Sequence, residues 1–122
     1  MSINLARAAL AAALFFSILP PAQAAGALAV GECGAFGHAY DYPTLDAARA
    51  AALAQCEGRC KVVAVTRRGC LAYAIDSGNV CGAYGYASRP RLGRAQNEAL
   101  KACFDYGGKT CVIRAFACDG KG

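Results

Sequence analysis

The 122-residue chain has no tryptophan and one histidine, His38. The first absence removes any function that depends on an indole ring. The second means that a Ser-His-Asp or Cys-His site would have to be assembled on that single imidazole, and a lone histidine among aromatic residues is expected to be a packing or surface residue. Acidic side chains are also scarce, 8 against 13 lysines and arginines. Asp41 with Asp46 and Asp76 with Asp105 could approach one another, but scattered acids make some such pair inevitable, and neither signals glycosidase chemistry. The Gly-Ala-aromatic-Gly segments at Gly34 and Gly82 are not phosphate loops, because no Lys-Ser follows and each lies within a strand pattern. Hydrolase chemistry thus has little support in the sequence, and no cofactor is expected.

Long apolar runs are confined to the start of the chain. Arg7 precedes an apolar stretch from Ala8 to Leu19, Pro20-Pro21 breaks it, and Ala22-Gln23-Ala24 supplies a small-x-small cleavage pattern. Residues 1–24 read as a secretory signal peptide cut after Ala24, since a membrane span needs about 20 apolar residues. Residues 25–122 are then expected to be a single domain that is secreted or periplasmic and has no transmembrane segment. Loss of Arg7 leaves 12 basic residues against 8 acidic and a net charge of +4. That excess suits acidic partners, while export and modest charge argue against nucleic acid.

Cysteine, by contrast, is abundant and patterned. Cys33, Cys56, Cys60 and Cys70 recur in order as Cys81, Cys103, Cys111 and Cys118 within matching segments, Cys33-Gly34-Ala35-Phe36-Gly37 against Cys81-Gly82-Ala83-Tyr84-Gly85. The chain reads as two repeats, about 25–70 and 71–122. An even cysteine count in a small exported domain is read as a disulfide framework, which leaves no thiolate for nucleophilic or redox work. Cys56-Glu57-Gly58-Arg59-Cys60 has a zinc-like spacing, but an oxidising compartment and the missing second histidine favour a bridge.

Each repeat predicts strand, strand, helix, strand. In the first, Ala27–Val30 and Gly34–Tyr40 are strands, Thr44 caps a helix over Leu45–Cys56 with Gly58 to end it, and Lys61–Thr66 is a β-branched strand. In the second, strands over Leu71–Ile75 and Val80–Ala87 precede a helix over Leu92–Phe104, with Pro90 before it and Gly107-Gly108 after it, and a strand over Thr110–Ala117. The expected class is α+β: a mainly antiparallel sheet with both helices on one face.

Leu45, Ala48, Ala52 and Cys56, and likewise Leu92, Ala95, Ala99 and Cys103, fall on one helical stripe and predict the buried faces. Period-two alternation puts Cys60, Val62, Ala64 and Cys111, Ile113, Ala115 on the helix side, and Lys61, Val63, Val65 and Val112, Arg114, Phe116 on the other. Small residues Ala35, Gly37 and Ala39 go under the helix, leaving Phe36, His38, Tyr40, Tyr84 and Tyr86 on an outer face with Lys61 and Arg114. Proximity pairs Cys56 with Cys60 and Cys103 with Cys111. Equivalent positions meeting at a pseudo-twofold axis suggest Cys70 with Cys118 and Cys33 with Cys81, one arrangement among the 105 that eight cysteines allow.

The alanine-rich helix ending Leu53-Ala54-Gln55-Cys56, followed by Cys60-Lys61-Val62-Val63, with its second-half counterpart ending Ala117-Cys118, resembles domain-of-unknown-function family 4189. The resemblance covers nearly the whole chain after the leader. It implies an exported bacterial two-repeat domain with no agreed activity, whose members carry cysteines matching Cys56, Cys60, Cys70, Cys103, Cys111 and Cys118. Cys33 and Cys81 stand as additions to that pattern, and the tryptophans usual in the family's strands are missing.

Arg67 and Arg68 follow one strand, and Arg89, Arg91 and Arg94 surround the start of the second helix, where cations oppose the helix dipole. With the aromatic face they make a candidate binding surface for an unknown protein or an anionic envelope component. A solvated basic surface, and a second layer or dimer partner over the aromatics, are the plainer alternatives. The expected function is a non-catalytic interaction module. The alternatives are a periplasmic inhibitor or immunity-type protein against an envelope-degrading enzyme, presenting Asp76-Ser77-Gly78-Asn79 and the Asp105–Lys109 loop, or a small secreted hydrolase around Asp41, Tyr42 and His38.

Overall fold

The computed structural model describes residues 24–120. The proposed leader, apart from Ala24, lies outside the described residues.

Strand β1 (Ala25–Val30) turns back as β2 (Phe36–Tyr42), helix α1 (Leu45–Gln55) follows, and β3 (Lys61–Arg67) returns along the other side of β1. Then β4 (Cys70–Asp76), β5 (Tyr84–Arg89), α2 (Leu92–Asp105) and β6 (Cys111–Cys118) follow with the same connections. All pairings are antiparallel, in the orders β2-β1-β3 and β5-β4-β6. The class is α+β, but there are two three-stranded sheets instead of one sheet with both helices on a single face.

The central strands explain the difference. Every residue of β1, Ala-Gly-Ala-Leu-Ala-Val, and of β4, Cys-Leu-Ala-Tyr-Ala-Ile-Asp, is buried. A strand apolar on both faces must be covered on both. One face of each sheet takes its helix: Ala25, Ala27 and Ala29 pack with Ala48, Ala52 and Cys56 of α1 and its cap, and Cys70, Ala72 and Ala74 with Ala95, Ala99 and Cys103 of α2. The other faces meet each other through Leu28, Val30, Leu71, Tyr73, Ile75 and Ala115. The layers therefore run helix, sheet, sheet, helix. Thr44 caps α1 by accepting from the Ala47 N–H at 3.1 Å, whereas Arg91 at the start of α2 gives no side-chain cap.

Two register shifts correct the simple alternation expected of β3 and β6. The β1–β3 register slips between Leu28 and Ala29, and the β4–β6 register between Tyr73 and Ala74. A bulge inserts one residue, so every side chain beyond it changes face. Val65 accordingly packs with the α1 layer and Ala64 between the sheets. Ala115 also joins the inter-sheet core, and Phe116 comes into register with Ala72, 53% exposed at the sheet edge. Strand β5 begins at Tyr84, later than Val80, because residues 77–83 form turns closed by Asn79 N–H to Asp76 O and Gly82 N–H to Asn79 O.

Four disulfides tie these elements together: Cys56–Cys60, Cys103–Cys111, Cys70–Cys118 and Cys33–Cys81. The first two join each helix end to the strand that follows it, and Cys70–Cys118 links facing residues of neighbouring strands. Cys33–Cys81 alone crosses between the sheets, from the β1–β2 turn to the β4–β5 loop.

Candidate functional site

The aromatic residues form one chain of rings. On β2, Tyr40 meets His38 with centroids 6.0 Å apart, and His38 meets Phe36 at 5.7 Å. Phe36 reaches across to Tyr73 of the facing sheet at 5.9 Å, Tyr73 meets Tyr84 at 6.1 Å, and Tyr84 stacks with Tyr86 at 6.4 Å. These separations suit edge-to-face and offset ring contacts. Tyr73, only 1% exposed, anchors the middle, while Tyr40, Tyr84 and Tyr86 surface at the ends. The expected outer aromatic face is thus partly an inter-sheet face, covered at its centre and open at its margins. Burial raises the Tyr73 hydroxyl above the usual phenol range, with the nearby Tyr84 reinforcing the shift.

Alternation explains how β2 and β5 supply these rings. Gly37 and Gly85 lie on the helix side, where an added Cβ would run into the carbonyl oxygens of Ala52 and Ala99. Phe36, His38, Tyr84 and Tyr86 are therefore directed to the other side. His38 is half-buried between Phe36 and Tyr40 and its Nδ1 is buried without a partner. Burial lowers its pKa, so the imidazole is neutral at pH 7. Its surroundings are those of a packing residue.

A groove of about 660 Å³ opens where the ring chain meets the Cys33–Cys81 bridge, lined by Tyr73, Tyr84, Val80, Arg59, Lys61 and Glu32 among others. A second, of about 800 Å³, runs past the edge of β5 between Tyr84, Tyr86, Ala102 and Tyr106, the last 79% exposed. Tyr84 borders both. Arg114 places its guanidinium 5.3 Å from the Phe36 ring centroid, in cation–π range. The aromatic residues singled out in the sequence, with Lys61 and Arg114, therefore lie along one chain and its border.

The other arginines singled out in the sequence do not join them. Arg67 ends β3 away from Lys61, roughly 20 Å along an extended strand, and Arg68 follows it in left-handed backbone. Arg89 stands opposite Cys70 at the far end of β5 from Tyr84. Arg89 and Arg94 both ion-pair with Glu98 of α2, Arg94 at 3.5 Å. Those two cations are engaged within the fold. Arg91 is the exposed residue that starts α2.

Sequence reasoning missed Arg59, Tyr73 and Tyr106 in the groove walls. Arg59 was findable, since it precedes Cys60 and a Cys56–Cys60 bridge holds it beside Lys61. Tyr73 was hidden by an apolar strand that reads as plain core. Asp119 also escaped notice, and Asp76, expected as a possible partner of Asp105 and as part of an inserting loop, is held by backbone donors. Asp76 accepts from the Gly78 N–H at 2.9 Å and the Lys109 N–H at 3.2 Å, and these donors lower its pKa. Asp119 is fully buried and accepts from the Asp41 N–H at 2.6 Å, while the Asp41 carboxylate accepts from the Gly120 N–H at 2.7 Å. Burial raises the Asp119 pKa, with the Asp41 charge adding to the shift.

Among the described residues no group of three or more His, Cys, Asp or Glu side chains is arranged to hold a metal ion, and no helix is long and apolar enough to cross a membrane. Searches of curated proteins and of solved structures find no match to the chain. A family model described as "Domain of unknown function (DUF4189)" matches residues 25–118. The resemblance drawn from the helix and cysteine patterns is thereby borne out, and the chain belongs to that family.

Proposed function

We propose that the protein is an exported, non-catalytic binding module built from two duplicated strand-strand-helix-strand units, and that it takes an anionic, ring-bearing component of the cell envelope at the Tyr84 margin. The observation that carries this reading is the ring chain anchored on buried Tyr73 and opening at Tyr84 and Tyr86 beside Arg59 and Lys61. Rigid aromatic side chains give contact area at little entropic cost, and adjacent cations supply charge complementarity. Four disulfides, with no helix able to span a membrane among the described residues, agree with a periplasmic or secreted location.

The test is calorimetric titration of the oxidised domain, residues 25–122, with soluble envelope glycan fragments carrying carboxylate groups. Tyr84→Ala/Tyr86→Ala and Arg59→Glu/Lys61→Glu should each weaken binding by about tenfold or more, as truncation of an interface anchor does. Arg67→Glu/Arg68→Glu, at the other end of β3, should leave it nearly unchanged. Binding lost through the latter pair and retained in the former two would sink the proposal.

One observation favours the inhibitor reading as a second one. The Asp76–Asn79 turn and the Asp105–Lys109 loop are joined into one tip by Asp76 to the Lys109 N–H and by the Ser77 N–H and Oγ to Thr110 O, at 2.9 and 3.0 Å. A pre-organised projecting tip is what insertion into an enzyme cleft requires. Under that reading Asn79→Arg abolishes inhibition of an envelope-degrading enzyme while the Tyr84 and Tyr86 variants keep it.

A further inference from the structure

The four disulfides differ in how they meet solvent. Cys56 and Cys103 are buried, each bridged to a half-buried partner at a strand start. Cys70 is fully buried in the β4–β6 ladder and shields its bridge to Cys118. Only in Cys33–Cys81 are both residues exposed. Thiol–disulfide exchange requires a thiolate to reach a sulfur along the S–S axis, so access selects among bridges.

Three further features converge on this bridge. Both cysteines sit in loops, the β1–β2 turn closed by Gly31 N–H to Ala35 O at 2.9 Å and the turn around Asn79–Gly82, and not in a strand ladder. Cys33 has φ 55° and Gly34 φ 80°, so a non-glycine residue is held in the left-handed region, a conformation it leaves readily when unconstrained. Arg59 and Lys61, with Glu32 as the one carboxylate, line the same groove as Cys33 and Cys81 and leave its lining net positive. Nearby cations stabilise a departing thiolate and so favour its displacement.

We propose that Cys33–Cys81 is a site of reversible thiol–disulfide exchange, a redox clasp between the two sheets that a dithiol reductant opens while the other three bridges stay closed. A thiolate of the dithiol attacks one sulfur of the bridge, forming a mixed disulfide as the Cys33–Cys81 bond breaks and the other cysteine leaves as a thiolate. The second thiol of the reductant, deprotonated, then attacks the mixed disulfide. The reductant departs oxidised as its own disulfide, and Cys33 and Cys81 are left as two thiols after proton uptake. The clasp joins the turns on either side of the Tyr73–Tyr84 groove, so its opening frees the groove mouth. The exchange itself does not depend on what the groove binds.

The experiment is reduction of the oxidised domain with graded dithiothreitol, an acid quench, alkylation with iodoacetamide and peptide mapping by mass spectrometry. Label should appear on Cys33 and Cys81 at least about tenfold faster than on the other six cysteines. Earlier labelling of any other pair, or labelling of all eight together, overturns the proposal. A Cys33→Ser/Cys81→Ser variant supplies the second measurement. It should fold with its three remaining bridges and show faster amide exchange in residues 31–36 and 77–83 only; global loss of protection would make the bridge a structural staple and overturn the clasp. Ligand titration is absent from both readouts, so they separate failure of the clasp from failure of the binding reading.

Discussion

Two buried carboxylates give the molecule opposite responses to acid. Asp76 is held below its ordinary pKa by backbone N–H groups, chiefly that of Lys109, so the unfolded chain binds a proton more readily than the native one. Its stabilising effect is complete above about pH 4 and is lost as pH falls through the lowered native value. Asp119 is raised by burial, so the native state binds its proton more readily, and its ionisation opposes folding as pH rises above about 4. Asp119→Asn keeps an oxygen to accept from the Asp41 N–H and removes the buried charge. Its Tm should exceed that of the parent near neutrality, with the difference closing toward pH 3. Asp76→Asn gives up an acceptor and should lower Tm near neutrality, with that difference also closing below pH 4. Differential scanning calorimetry from pH 3 to 8 checks both, and parallel curves for either variant would refute its assignment.

At the scale of elements, the closest packing lies between each helix and the edge strand beneath it. A Cβ on Gly37 or Gly85 would collide with backbone atoms of α1 or α2, not with flexible side-chain ends, so the helix itself would have to move. Gly37→Ala and Gly85→Ala should each cost about 3 kcal/mol in urea unfolding, at the upper end of overpacking effects. Gly93, on an open face of α2, is the control. A Cβ there meets nothing, and Gly93→Ala should stabilise by about 0.5–1 kcal/mol through helix propensity. These helix–strand layers were legible in the chain because alanine and glycine recur at helical and strand periods in the same segments. The bulges in β3 and β6 were not, since Val63 and Arg114 look like ordinary strand residues and alternation carries no mark of an inserted one. The faces of Val65, Ala64, Ala115 and Phe116 were misread for that reason alone.

For the molecule as a whole, the disulfides divide by the length of chain they close. Cys70–Cys118 spans 48 residues, Cys56–Cys60 spans 4 and Cys103–Cys111 spans 8. In the chain-entropy description the long closure is worth about 4 kcal/mol and the shortest about 2. Cys70→Ala/Cys118→Ala should therefore lose about twice the unfolding free energy of Cys56→Ala/Cys60→Ala, measured in urea at one pH; equal losses would mean that packing around the sulfurs outweighs loop closure. Reading a single sheet failed at this scale. Which of its two apolar faces β1 or β4 turns to a helix depends on contacts between halves of the chain, and local periodicity does not encode them. The candidate site suffered the same way, with Phe36 and Lys61 visible as types and Tyr73, which links the two sheets, concealed as core.

The strand orders also bear on solubility. Among the described residues only β1 and β4 are paired on both sides, so β2, β3, β5 and β6 are edges there, with backbone groups to which another chain could add. Lys61 and Arg67 stand on β3, Arg89 on β5 and Arg114 at the irregular part of β6, while β2 carries Asp41 in the left-handed region one residue before its end. Charges and irregular backbone at those places hinder the approach of a second copy edge to edge. Part of the basic excess is thus placed to oppose edge-to-edge addition of another chain, whatever the protein binds.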